Sequence, residues 1–160
     1  MSFLKSLFGK SDNDSKAKAG IEEHLDYLKS LRSPAIALFA SSEAKNSRIG
    51  GMPSLPDDIP WPEWQEKPLS FLCQIDLSEI PDACDRHGLA EFGMIYFFYD
   101  EEQSTWGFDP KDEGSWRVVY ATSPGASPRS APSGLNPDYL YIEKRVDLTP
   151  IETFPDWQDD

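Results

Sequence analysis

The sequence predicts an α+β fold that is mainly antiparallel β and carries one N-terminal amphipathic helix. Three observations point there. Fourteen prolines and 12% aromatic residues in 160 positions favour turn-rich β structure over a helical bundle. Short apolar runs with a period of two recur from Leu69 onward, as half-buried strands require. Only residues 21–32 combine apolar residues at helical spacing with charges suited to both helix ends. At 39% apolar, the chain is long enough for one compact domain with its own core. The expected organisation is a flexible segment over residues 1–20 and a single β-rich domain over residues 21–160.

Met1–Lys10 places Phe3, Leu4, Leu7 and Phe8 at helical spacing ahead of a polar tract. It reads either as a membrane-touching or partner-docking segment or as a frayed terminus. The polar residues after Gly9 leave no room for the apolar core of a secretory signal. In residues 21–32, Ile21, Leu25, Leu28 and Leu31 share one face, with Glu22 and Glu23 at the start and Lys29 and Arg32 at the end, which complements the helix dipole. Pro34 stops this helix. His24, at the border of its two faces, reads as a surface histidine. Residues 35–40, AIALFA, predict a short strand.

The stretch from Ser47 to Pro81 is the most constrained part of the chain, holding six prolines and two tryptophans. Gly50 and Gly51 mark a tight bend where the backbone needs positive φ or close approach. Pro53, Pro56, Pro60 and Pro62 then exclude both a helix interior and a central strand. Met52, Leu55, Ile59, Trp61 and Trp64 supply the apolar surface of an ordered extended loop, with Trp61 as its buried anchor. Leu69–Leu77 predicts a strand with Phe71, Cys73, Ile75 and Leu77 on one face and Ser70, Leu72, Gln74 and Asp76 on the other.

Residues 92–99, FGMIYFFY, are apolar on both faces and predict a central strand covered on both sides. Residues 105–108 and 115–121 are expected to pair as a hairpin across Asp109–Gly114. Residues 122–137, with four prolines, four serines and two glycines, predict a mobile loop. Tyr139–Val146 predicts a last strand, and the tail to Asp160 carries Phe154 and Trp157.

Several of these residues carry a resemblance. Arg48-Ile49-Gly50-Gly51, Pro53, Leu55-Pro56, Trp61-Pro62, Lys67-Pro68-Leu69, Phe71-Leu72, Gln74-Ile75-Asp76-Leu77 and Ile80-Pro81 resemble the YwqG-like family of mainly bacterial proteins. Gly93–Asp100 and Ser115–Tyr120 are similar to that family's following strands. The resemblance covers roughly Ser33 to Asp156 and implies a strongly twisted antiparallel β roll of unknown function, with no catalytic residue to carry over. It also implies that the chain ends where a second, related β-rich half would begin. A homodimer replacing that half is one expected arrangement.

The net charge of −13 is unevenly spread. Residues 1–50 carry eight Lys/Arg against six Asp/Glu, whereas residues 51–160 carry seven against twenty-two, a balance of −15. Nucleic acid is excluded as a partner, since its affinity rests on neutralisation by Lys and Arg. The same charge would steer a basic protein, although an acidic balance also serves solubility. No apolar run approaches the ~20 residues of a spanning helix. Two cysteines fit a reduced cytoplasm better than a disulfide framework.

Few chemistries find their residues. Two histidines and two cysteines do not complete a soft-ligand metal site, so no metal and no cofactor is expected. Cys84 and His87 meet the demands of a nucleophile and base only by closeness in sequence, and no phosphate-cradling or nucleophile-elbow motif occurs. The best constellation is Arg48, Gln74 and Asp76 beside Trp61 and Trp64. These five either line a groove with Arg48 as a carboxylate anchor, or Gln74 and Asp76 satisfy the backbone of the proline-rich loop. The function expected is a non-enzymatic, acidic cytoplasmic module that binds another protein, with an immunity or antitoxin-like role as one version. The alternative is a small-molecule or peptide-binding protein, conceivably an enzyme, with a pocket near Arg48, Trp61 and Gln74.

Overall fold

The structure, a computed structural model, describes residues 24–43 and 45–154. The expectations for residues 1–20, for the first turn of the helix and for Trp157 lie outside these residues. The chain divides into two compact units, one drawn from Met1–Ala35 with Glu152–Asp160 and the other Ile36–Ile151.

In the first unit, helix α1 is described over Leu25–Ser30. Leu31 and Arg32 donate their N–H groups to the carbonyls of Leu28 and Lys29 at 3.2 and 3.3 Å, which closes the last turn ahead of Pro34. None of its residues is buried. Arg32 Nη1 lies 2.6 Å from Glu152 Oε2.

Among the described residues eight strands follow: β1 (Ser33–Ala40), β2 (Arg48–Ile49), β3 (Glu63–Trp64), β4 (Lys67–Pro68), β5 (Ser70–Asp76), β6 (Met94–Tyr99), β7 (Trp116–Ala121) and β8 (Lys144–Thr153). Six form one sheet in the order β1-β8-β2-β5-β6-β7, and β3 with β4 makes a small ribbon. The pairings of β2 with β5 and β8, of β6 with β5 and β7, and of β3 with β4 are antiparallel. With β1 and β7 as its two ends the sheet does not close into a barrel. The architecture is therefore the mainly antiparallel α+β fold that the sequence predicts.

Strict alternation along β5 is not what the structure holds. Phe71 pairs with Phe98 and Cys73 with Phe97, so Leu72 is an extra residue in a bulge, which switches the faces beyond it. Phe71, Gln74 and Asp76 consequently share one face with Phe98, Tyr96 and Met94, whereas Cys73 and Ile75 join Phe97 and Ile95 on the other. The first face carries the larger core: Phe71, Met94, Tyr96 and Phe98 are packed under Leu55, Trp61, Leu69 and Leu135. On the second face Leu77, Ile80 and Leu148 pack with Ile36, Ile75 and Ile95.

Three expectations change. Residues 105–108 form no strand and β7 pairs with β6 instead. The buried Asp112 carboxylate accepts the N–H groups of Trp106 and Gly107, both at 3.2 Å, replacing ladder partners with a side chain. Trp106 and Phe108 are left 81% and 90% exposed. The last strand begins at Lys144 rather than Tyr139, because Pro137–Tyr139 closes into a 3₁₀ turn capped by the Asn136 side chain. Strand β6 is fully buried on one face only, and Ile95, Phe97 and Tyr99 keep partial exposure.

Residues 122–137, read from composition as mobile, are tied to the proline-rich segment. The N–H groups of Gly125 and Arg129 donate to the carbonyls of Ser54 and Pro53 at 2.7 and 2.8 Å. The Arg129 guanidinium donates to the Ile59 carbonyl at 2.6 Å, and Leu135 enters the main core.

Candidate functional site

The Gly50-Gly51 bend organises the polar region on the first face. Both glycines have positive φ, at 66° and 71°. A Cβ on Gly50 would stand 2.6 Å from the Ile142 carbonyl oxygen, far inside contact distance, so glycine is required twice over. The Gly50 N–H donates to the bulged Leu72 carbonyl at 2.7 Å and the Gly51 N–H to Tyr141 at 2.8 Å. The bend thus fixes where the proline-rich segment leaves the sheet.

Arg48 sits just before this bend, buried, and directs its guanidinium back over it. Nη2 donates to the Met52 carbonyl at 2.6 Å and to Ser54 Oγ at 3.0 Å. Burial lowers its pKa from the usual arginine value, an effect that Glu143 opposes and Arg145 adds to. Glu143 lies between the two cations, 3.8 Å from Arg48 Nε and 3.6 Å from Arg145 Nε.

Gln74, opposite Arg48 in the ladder, bridges two loops. Its Oε1 accepts the Ser54 N–H at 2.8 Å, and its Nε2 donates to the Asn46 carbonyl at 2.9 Å. Tyr96, beside Gln74 on β6, donates its hydroxyl to the Ser54 carbonyl at 2.6 Å. Burial pushes that hydroxyl's pKa up to about 12. Ser54 is therefore held through its amide, its carbonyl and its hydroxyl.

Asp76 caps the following 3₁₀ turn. Its Oδ1 accepts the Ser78 N–H and hydroxyl at 2.9 and 2.6 Å, and its Oδ2 accepts from Asn46 Nδ2 at 2.8 Å. Glu79 accepts the N–H groups of Asn46 and Ser47 at 2.7 and 3.0 Å. Outside these contacts Asp76 and Glu79, with Glu43, Asp147, Lys45 and Ser78, line a cleft of about 450 Å³. Four carboxylates against one lysine make it anionic.

Trp61 is 7% exposed, donates its indole N–H to the Leu69 carbonyl at 2.9 Å and meets the Phe98 ring edge-on at 5.4 Å. Trp64, half-buried, packs against the same core as Trp61 and donates its indole N–H to the Glu113 carbonyl at 3.0 Å. Arg48, Gln74 and Asp76 thus come together, while Trp61 lies in the core beneath the same loop and Trp64 packs against that core with its indole N–H turned to Glu113. Glu43, Glu79 and Asp147 complete the cleft. No spacing announces them, because β8 brings Asp147 beside residues about a hundred positions earlier and acids are common throughout.

The cysteines are both free thiols. Cys73 faces the apolar side of β5, where burial raises its pKa from 9.0 to about 11, unlike a thiolate nucleophile. Cys84 packs against the second cluster, and His87 Nδ1 lies 3.9 Å from Asp85 Oδ1. Among the described residues no group of three or more His, Cys, Asp or Glu is placed to hold a metal ion. No helix among them is long and apolar enough to cross a membrane.

No curated protein matches the chain at a significant level. A family model for a domain of unknown function, DUF1963, matches residues 47–158, from the serine before Arg48 through β8. That match spans well over half of the chain, which therefore belongs to the DUF1963 family of unknown function.

Proposed function

We propose that the chain is a non-enzymatic, cytoplasmic protein-binding module that receives a basic segment of another protein in the cleft lined by Glu43, Asp76, Glu79 and Asp147. The observation that carries this reading is the cleft itself, where carboxylates outnumber Lys45 four to one on a body of charge −15. A field of that sign speeds and selects basic partners. An immunity or antitoxin-like role against a basic toxin is its narrower form, and the YwqG-like group is the narrower family assignment. The alternative pocket near Arg48, Trp61 and Gln74 is less favoured, because those three side chains are buried and their polar atoms bond within the protein, whereas the cleft presents the exposed carboxylates of Glu43 and Asp147.

Capture from native lysate tests this. A protein retained by the full chain at low salt should be released by about 0.5 M salt, where the screening length falls below ~5 Å. The same protein should be lost from a Glu43→Lys, Asp147→Lys double variant. Both side chains are exposed, so the variant should fold. A partner retained by that variant, or one indifferent to salt, would remove the cleft from the function.

A further inference from the structure

The second face of the sheet is apolar and open. The pairing register puts Ile49, Cys73, Ile75, Ile95, Phe97, Tyr99, Trp116, Val118 and Tyr120 of β2, β5, β6 and β7 on one side, all uncharged, with Lys144 of β8 opposite Ile49 as a cation on the same side. Trp116 is 55% exposed, Val118 49% and Tyr120 47%. Toward β1 and β8 the face dips into a hollow of about 200 Å³, walled by aliphatic side chains including Ile36, Leu38, Leu89 and Leu148.

We infer that this face binds a second copy of the chain, sheet against sheet. Three observations favour that occupant. Half-exposure of Trp116, Val118, Tyr120, Leu38, Ile49 and Leu89 leaves roughly 500–600 Å² open, from ~150–250 Å² per large side chain. That lies at the upper end of the ~300–600 Å² of the largest apolar patch on a monomer and close to the ~600 Å² per partner at the lower bound of specific interfaces. The face also carries an exposed aromatic end on β7 and an aliphatic hollow toward β1 and β8, and in a two-fold pairing Trp116 of one copy would enter the hollow formed by Ile36, Leu38 and Leu148 of the other. Finally, the residues that the register puts on this side of β2, β5, β6 and β7 include no carboxylate, and the nearest acids at the β7 end are Asp109, Asp112 and Glu113, which line the cleft beside Trp116.

Sedimentation velocity of the full chain over a range of concentrations tests the inference. The expected species is a dimer of the 18.0 kDa chain. It should tighten as salt rises from about 0.05 to about 0.5 M, because salt screens repulsion between two anions. This dependence is opposite to that expected for the acidic cleft, so the two readings can fail separately. Val118→Lys and Trp116→Glu change exposed side chains and should each raise the dimer Kd at least about ten-fold while leaving the far-UV spectrum unchanged.

A monomer at every concentration, or a dimer indifferent to both substitutions, overturns the inference. Maleimide labelling of Val118→Cys, located by peptide mass, then identifies the other occupant. A monomer unreactive at that site would give the face to a segment of the same chain, and a monomer that reacts freely would leave it to a different protein.

Discussion

At the scale of single residues, the glycine pair separates two reasons for having no side chain. Gly50 combines a φ of 66° with backbone oxygens 2.6 and 2.8 Å from where a Cβ would stand. Gly88 has a φ of 85° but open space around it. Left-handed backbone alone costs a non-glycine residue roughly 1–2 kcal/mol, and displacing packed backbone adds ~1–3 kcal/mol. Gly50→Ala should therefore lower stability by about 3 kcal/mol and Gly88→Ala by about 1 kcal/mol, as read by urea denaturation. Equal losses would mean that the backbone at Ile142, just ahead of β8, yields freely and does not hold the bend.

Cys73 gives the pH-dependent test at the same scale. Its folded pKa is raised to about 11 from 9.0 by burial, so the fold favours the neutral thiol. The stability that this contributes is fully present below pH 9 and is lost as pH rises through about 11. Two pKa units correspond to about 100-fold less thiolate near pH 8. Alkylation of Cys73 in the folded chain should be slower than in urea by about that factor. A rate within a few-fold of the unfolded one would show the thiol to be accessible and unperturbed.

Among the elements, regularity decided what could be read from the sequence. The core of β6 followed from its apolar run, and the extended, tryptophan-anchored loop followed from proline spacing and from Trp61 needing an acceptor, which is the Leu69 carbonyl. The bulge at Leu72 could not be read, because period-two reasoning has no marker for one added residue. Its effect is large: it puts Gln74 and Asp76 on the core face, where each must satisfy backbone or capping groups. The strand expected at residues 105–108 failed because Asp112 binds two of its amides, a non-local competition invisible in a window of four residues. Composition also gave no sign that residues 122–137 bond the proline-rich segment 53–59, which lacks ladder partners of its own and whose Pro53 and Ser54 carbonyls accept the N–H groups of Arg129 and Gly125. Of the cleft, Asp76 alone was legible; Glu43, Glu79 and Asp147 meet it only once the ladder between β2, β5 and β8 has formed.

Over the whole molecule, the two faces of one sheet divide the work. The first is closed by a loop whose backbone is held by Arg48, Gln74 and Tyr96, the second carries mostly apolar side chains, and the chain bears a net charge of −13. That charge sets a measurable cost on compactness, because folding brings thirteen uncompensated charges closer together. Exposed ion pairs such as Lys67 with Glu102 and Lys111 with Asp109 act in the opposite direction, but each contributes only about 0–1 kcal/mol and is itself screened. Repulsion should win. The melting temperature is therefore expected to rise by a few degrees between about 0.02 and about 0.3 M sodium chloride. Scanning calorimetry on the Val118→Lys variant, where association through the apolar face is suppressed, isolates this effect from dimer formation. A melting temperature that falls with salt would show that local pairing outweighs the overall charge, and would weaken the case that a long-range anionic field steers partners to the cleft.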